Sequence, residues 1–206
     1  MNDMVIPILD WQRFLSETTR AEFAVDLGRA CRDTGFFVLT GHGIDAALID
    51  KVFQAADTFF GLPRDEKARL DIRASGTNRG WAEIGTENLD DTSDAFDRKE
   101  AFNIGLDLAA DDPRILKGEP FRGLNLWPDL PGFRETLLTY FASVHRLGVD
   151  LHRPIALDLN LDEAYFAPYL DQPLATLRLL RYPAGGSDGI GAGAHTDYGS
   201  VTLLIT

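Results

Sequence analysis

The last 32 residues of the chain contain two apolar runs of strand length, separated by a segment that disfavours a helix. The runs are 175–182 and 200–206, and five of the eleven residues from Pro183 to Gly193 are glycine. Glycine makes a helix entropically costly, whereas short apolar runs bounded by glycine and proline are typical of strands. We therefore expect the chain to end in a β region.

Three earlier segments have apolar residues at helical spacing. The first two are predicted over about 20–33 and 45–60, and Cys31 falls on the apolar face of the first. The third follows Pro131 and keeps one apolar face for about six turns, with Pro154 expected to kink or end it. Short strands are predicted at 5–9, 36–40 and 100–104. This order of elements predicts an α+β fold.

Composition excludes several classes of protein. The 20 basic and 32 acidic residues give a net charge of −12, the wrong sign for a protein that tracks nucleic-acid phosphates. No apolar run reaches the roughly 18 residues that a membrane span needs. A single cysteine excludes an internal disulfide and fits a reducing compartment. We expect a cytoplasmic protein that binds neither nucleic acid nor membrane.

The acidic residues are concentrated in one stretch. Residues 87–112 contain nine acidic side chains and only two basic ones. A block of like charge is typical of a solvated surface, and a lid or a cation-facing substrate loop is the alternative. The overlapping segment 76–97, with Arg79, Trp81, Glu83 and Glu87, is our candidate for a substrate lid, and plain surface is again the alternative.

His195 and Asp197 form the chemically most informative pair. In an extended strand, residues two apart point to the same side, so an imidazole and a carboxylate would converge on one point. They would provide two corners of the facial triad that holds non-haem iron, and a second histidine would complete it. Zinc and magnesium prefer other donor sets. The spacing alone also fits a surface hydrogen-bonded pair.

The other histidines and the glycine-rich segment have simpler interpretations. His42 lies between two glycines, where it can cap a turn or ligate a metal. His145 and His152 are seven residues apart on the third helix, too far to share an ion. The glycines of 189–194 precede a predicted strand, which excludes a dinucleotide-binding turn.

Seven stretches along nearly the whole chain form an ordered set of motifs. They are Ile6–Asp10, Asp33–Ile44, Phe59–Lys67, Arg79–Trp81, Lys99–Phe102, Leu177–Pro183 and Gly193–Ser200. Together they resemble the isopenicillin N synthase-like group of Fe(II)/2-oxoglutarate-dependent dioxygenases.

The resemblance implies a distorted jelly roll, the double-stranded β-helix, behind a helical N-terminal region. Residues 1–130 would form the N-terminal region with the first barrel strands, and residues 131–206 the long helix and the start of the iron-binding core.

The resemblance also implies roles for particular residues. His195 and Asp197 match two iron ligands, and Tyr182 matches a tyrosine that contacts 2-oxoglutarate. Arg178 aligns with a position facing substrate or co-substrate. Tyr198 lies beside the ligands and is a candidate substrate contact, together with Arg79 and Trp81.

The implied activity is an Fe(II)-, 2-oxoglutarate- and O₂-dependent oxidation of a C–H bond in a small molecule, with decarboxylation of 2-oxoglutarate to succinate. The family's second histidine and its 2-oxoglutarate-anchoring arginine are expected beyond Thr206, so the second half of the barrel is expected to be missing. Leu180 stands where many plant members have an asparagine. The alternatives are an iron oxidase that does not use 2-oxoglutarate, or a non-catalytic fragment if the natural chain ends at Thr206.

Overall fold

The strands form two separate sheets, and each sheet lies in a different unit of the chain. The computed structural model describes residues 5–86, 98–183, 197 and 199–206. The first unit comprises Met1–Ala46 and Ala142–Pro173, and the second comprises Ala47–Phe141 and Leu174–Thr206. The strands are β1 (Ile8–Asp10), β2 (Val38–Thr40), β3 (Gly80–Ala82), β4 (Glu100–Gly105) and β5 (Thr176–Arg181).

The helices account for most of the remaining regular structure. They are α1 (Gln12–Leu15), α2 (Arg20–Asp33), α3 (Ala46–Phe60), α4 (Arg64–Ala68), α5 (Ile72–Ser75), α6 (Pro113–Leu116) and α7 (Phe133–Asp158), with a 3₁₀ turn at Ala167–Tyr169. Among the described residues, no helix combines the length and apolar character that a bilayer crossing requires. The mixed helix and sheet content agrees with the predicted α+β class.

The first unit is built around a parallel pair of strands and an aromatic cluster. Strands β1 and β2 pair with Leu9 opposite Leu39. The rings of Phe14 and Phe23 lie 5.8 Å apart, and both side chains are fully buried. The Arg20 guanidinium lies 4.3 Å from the centre of the Phe14 ring. These contacts pack the apolar face of α2 against α1, the short helix that carries Phe14.

Pro154 does not end α7, so of the two predicted alternatives, a kink or an end, the end at Pro154 is wrong. The helix continues to Asp158 with Pro154 inside it. A proline in a helix removes one backbone hydrogen bond. Pro154 is fully buried here, so packing offsets that loss.

The second unit contains an antiparallel sheet in the order β3–β4–β5. Its helix-facing core is an aromatic triad. Phe59 lies 4.5 Å from Phe102, and Phe133 lies 5.7 Å and 5.6 Å from these two rings. Burying three such rings contributes several kcal/mol and attaches α3 and the start of α7 to the central strand.

Two further expectations are wrong. Residues 200–206 are described and form no strand, because the described part of the chain provides no strand paired with them. Cys31 is exposed rather than in the core. It lies at the margin of the buried face of α2, beside the buried Ala30.

A buried carboxylate, Glu100 at the start of β4, receives three donors. Its Oε2 accepts from Lys67 Nζ at 2.8 Å and from Trp81 Nε1 at 2.9 Å, and its Oε1 lies 3.5 Å from Arg181 Nη1. Lys67 and Arg181 also donate to the backbone carbonyl of Phe60 at 3.0 Å and 2.9 Å. That carbonyl is at the end of α3, where helix carbonyls lack intrahelical partners. The network joins α3, α4 and all three strands.

Replacing Lys67 by methionine tests this network. Lys67 and Glu100 are only 7% and 5% exposed, so the variant leaves a buried carboxylate with less compensation. We expect Lys67→Met to lower the free energy of unfolding by about 3–5 kcal/mol, measured by urea denaturation. Lys51→Met, at an exposed position of α3, should change it by no more than about 0.5 kcal/mol. Equal stability of the two variants would contradict the assignment.

Candidate functional site

Strand β5 and the residue after it carry two predicted site residues. Side chains alternate along a strand, so Arg178 shares a face with Leu180. The same alternation, continued one residue past the end of β5, assigns Tyr182 to that face. Leu179 points the other way and is 7% exposed, whereas Tyr182 is 50% exposed. We call the face of Arg178 and Tyr182 the site face.

The central strand provides the rest of the site face. Asn103 lies opposite Arg178, and Ala101 lies opposite Leu180. On its other side Asn103 pairs with Gly80, so its two neighbours across the sheet are an arginine and a glycine. Asn103 is completely buried, and its Nδ2 donates to Asn78 Oδ1 at 3.1 Å. Sequence reasoning missed this residue, although an asparagine inside an apolar strand is an available signal.

The Arg79 guanidinium lies where a side chain on Gly105 would be. A Cβ atom on Gly105 would lie 2.0 Å from Arg79 Nη2, so only glycine leaves room for the guanidinium there. Gly105 is two residues from Asn103, and therefore its missing side chain would point to the same face. The structure thus brings Arg79, Asn103 and Arg178 to one face of the sheet.

The Arg79 guanidinium is buried and held by backbone oxygens. The residue is 4% exposed, with Nη1 donating to the carbonyl of Asn78 at 3.1 Å and Nη2 to that of Phe121 at 3.3 Å. Burial, and secondarily the neighbouring Arg122, lower the pKa of Arg79 from its ordinary value. Guanidinium groups stay charged in proteins, so the buried group remains a cation.

Asn125 fixes the position that accommodates Arg79. Its Oδ1 accepts from the Gly105 amide at 2.8 Å, and its Nδ2 donates to the Gly105 carbonyl at 3.0 Å. The same Nδ2 lies 3.0 Å from Asp107 Oδ1, and Arg134 holds the other oxygen of Asp107 at 2.7 Å. The side chain of Asn125 therefore bonds to the Gly105 backbone groups as a neighbouring strand would, beyond the end of the β3–β4 pairing.

Trp81 lies on the opposite face of the sheet from Arg79. It pairs with Phe102, is 3% exposed, and donates to Glu100 as described above. The structure does not bring it to the residues of the site face. Its contacts are those of a core residue that supports the sheet.

The candidate lid segment contains regular structure. Strand β3 occupies 80–82 within it, and Glu83 accepts from Arg64 Nη2 at 2.8 Å. Glu87 lies outside the described residues. Residues 79–82 are buried and paired, which differs from the polar loop that the sequence indicated.

The proposed iron ligands are described only in part. Asp197 is exposed, whereas His195 and Tyr198 lie outside the described residues. The described ranges contain no group of three or more histidine, cysteine, aspartate or glutamate side chains placed to hold a metal. Among the other histidines, His42 Nδ1 accepts from the Ile44 amide at 3.1 Å, the turn contact that the sequence suggested.

Comparison with known proteins identifies the family. Residues 6–130 match the family described as non-haem dioxygenase in morphine synthesis, N-terminal. The 2-oxoglutarate-Fe(II) type oxidoreductase hxnY of Emericella nidulans is 35% identical over 210 residues, covering 97% of this chain and 60% of the relative. The chain belongs to the 2-oxoglutarate- and Fe(II)-dependent dioxygenases, which confirms the resemblance.

Solved structures support the same assignment. A C-terminally truncated protein of Neurospora crassa, in apo form, superimposes with a TM-score of 0.75 at 32% identity, covering 97% of this chain and 69% of that one. The full-length Neurospora crassa protein in complex with alpha-KG and thymine gives a TM-score of 0.71 at 30% identity, covering 88% and 56%. The chain spans 60% to 62% of the length of the first curated relatives it matches.

The donors of this chain fit the family's ferrous ion in part. An imidazole and a carboxylate two residues apart are the ligand types that non-haem iron takes, and the carboxylate of Asp197 is on the surface of the described structure. His195 and Asp197 would supply two of the three protein ligands.

Gly105→Ala tests the geometry around Arg79. The added methyl group would collide with the guanidinium, so we expect a loss of about 1–3 kcal/mol in the free energy of unfolding, measured by urea denaturation. In Arg79→Ala the space is vacated, and the same glycine substitution should then cost at least about 1 kcal/mol less. Additive effects of the two substitutions would contradict the contact.

Proposed function

We propose that the protein is an Fe(II)- and 2-oxoglutarate-dependent oxygenase that oxidises a C–H bond of a small molecule and converts 2-oxoglutarate to succinate. The observation that carries the proposal is the site face, where β5 presents Arg178 and Tyr182 follows the last residue of the strand, a short distance in sequence before Asp197. Membership of the dioxygenase family supports the same reaction. We further propose a cytoplasmic location.

We assign His195 and Asp197 as iron ligands, with the ion supplying the O₂-activating chemistry when bound. The hydroxyl group of Tyr182 would donate a hydrogen bond to a carboxylate oxygen of 2-oxoglutarate. Arg178 would attract the substrate or co-substrate through its positive charge. Tyr198 stays a candidate substrate contact. The second histidine and the 2-oxoglutarate arginine are assigned to the length of the relatives that this chain does not span.

The remaining surface of the site face would orient the substrate and exclude water. The short side chains of Ala82 and Ala101 lie on this face with the buried Asn103, and the Arg79 guanidinium occupies the place of a Gly105 side chain, so Asn103 and Arg79 provide fixed polar groups there. The Neurospora crassa complex with alpha-KG and thymine supports a small, polar molecule as the substrate class.

Binding of Mn(II), a redox-inert substitute for Fe(II), tests the metal assignment. We expect Mn(II) to broaden the amide NMR signals of Gly199 and Ser200, because a paramagnetic ion would be held next to them. His195→Ala and Asp197→Ala should weaken this binding at least tenfold. The control His145→Ala, on α7, should leave it unchanged. Equal binding by all variants would overturn the assignment.

Adding 2-oxoglutarate separates the oxygenase from an oxidase of the same family. A co-substrate that chelates the ion should tighten Mn(II) binding severalfold, whereas an oxidase that does not use 2-oxoglutarate should show no change.

The hydroxyl of Tyr182 should account for part of the 2-oxoglutarate affinity. We expect Tyr182→Phe to weaken 2-oxoglutarate binding about tenfold in the presence of Mn(II), because a hydrogen bond to a charged group contributes about 1.5–3 kcal/mol. Titration calorimetry measures the change. Tyr169→Phe, at a 73% exposed position of the first unit, is the matched control and should bind like the wild type.

A further inference from the structure

The charge of Arg79 has no anionic partner in the described part of the chain. Its two hydrogen bonds go to neutral carbonyls, and its buried Nε has no acceptor among the described residues. The charged neighbour that contributes to lowering its pKa is another cation, Arg122. A buried guanidinium without an anion is costly, since charged groups lose hydration that neutral acceptors replace only in part. This arrangement calls for a negatively charged group from outside the described residues.

The backbone around Arg79 is strained to hold it. The carbonyls that accept from Arg79 belong to Asn78 and Phe121, which have φ of +61° and +59°. The left-handed region costs a residue such as phenylalanine about 1–2 kcal/mol. Phe121 is 59% exposed, so burial of its own side chain does not explain that conformation. Strain of this kind persists where the surrounding structure fixes a functional group.

Asn103 carries a second unsatisfied polar atom near the same place. Its Oδ1 is buried and has no donor within the part of the chain that the structure describes, while its Nδ2 is held by Asn78, the residue whose carbonyl also binds Arg79. Buried amide oxygens are almost always hydrogen-bonded. The site therefore offers one free donor, Arg79 Nε, and one free acceptor, Asn103 Oδ1, both on the site face.

We propose that Arg79 and Asn103 form the substrate-binding subsite and that the substrate is a small organic acid with an O–H or N–H donor next to its carboxylate. The carboxylate would accept from Arg79, and the donor would bond to Asn103 Oδ1. A sulfate dianion presents only acceptor oxygens, so it would leave Asn103 Oδ1 without a donor. The inference rests on the proposed function and specifies its substrate class.

Matched small probes test the subsite without metal or 2-oxoglutarate. Lactate has a carboxylate beside a hydroxyl, propionate lacks the hydroxyl, lactamide lacks the charge, and sulfate lacks the donor. In NMR titrations of the full chain, we expect lactate to bind at least threefold more tightly than propionate and at least tenfold more tightly than lactamide or sulfate. Equal affinity for all four probes would overturn the proposal.

Variants assign the two contacts. Arg79→Gln should weaken lactate at least tenfold, and Asn103→Ala should remove the preference for lactate over propionate while retaining propionate binding. Arg29→Gln, an exposed change on α2, should alter neither. Circular dichroism checks the fold of each variant. If Arg79→Gln does not fold, Gly105→Ala displaces the same guanidinium and should give the same loss.

The outcomes also separate this subsite from the proposed co-substrate position. Loss of lactate binding in Arg178→Gln but not in Arg79→Gln would place the acid at the co-substrate position and overturn the inference, while Mn(II) binding by His195 and Asp197 would be unaffected. Failure of Mn(II) binding with intact lactate binding would instead overturn the proposed function and leave the subsite standing.

Discussion

The Glu100 carboxylate determines how the second unit holds its sheet. Lysine, arginine and indole donors from α4, β5 and β3 converge on its two oxygens, while the same lysine and arginine cap the last carbonyl of α3. Such a buried group is stable only with all its partners, so the three strands and two helices are ordered together. Ala101 and Asn103, which alternate with Glu100 on β4 and point to the other face, are therefore fixed in position as well.

The two faces of the sheet consequently differ in side-chain size and packing. One face carries large aromatic side chains and the ion network, and it is packed against helices. The other carries glycine, alanine and asparagine, with Arg178 and Tyr182 at its edge strand. Because one face is rigidly packed, the strands keep their positions even though the other face carries small residues. A site for a small molecule needs both conditions, because its polar groups must be held in place while space is kept above them.

Sequence reasoning succeeded where a pattern is local. The helical spacing of 20–33 predicted α2 with the bounds that the structure has, and the apolar run before Tyr182 predicted β5 within a residue at each end. The family was recognised from seven motifs spread along the chain, each of them local, whereas the assignment of His195 and Asp197 as iron ligands stays a prediction. An end of the helix at Pro154 was wrong as a prediction because burial of the proline offsets the local loss.

The rest depends on contacts that no local pattern contains. Arg79 looked like part of a polar loop, since its burial follows from a glycine 26 residues later and from a left-handed Phe121. Asn103 stands out as an asparagine in an apolar strand, but only the register, which places it opposite Arg178, connects it with the site face. For the same reason Trp81, adjacent to Gly80 in sequence, lies on the other face of the sheet.

The shared carbonyl of Phe60 has a consequence for how such proteins can be recombined. Lys67, Glu100 and Arg181 all depend on that one oxygen or on each other, although more than 100 residues separate the first from the last. A chimaera that joins two relatives between residues 67 and 100 would combine the cation of one parent with the carboxylate of the other. The stretch from the end of α3 to the start of β4 is therefore exchangeable between relatives only as one block, and only together with the Arg181 position.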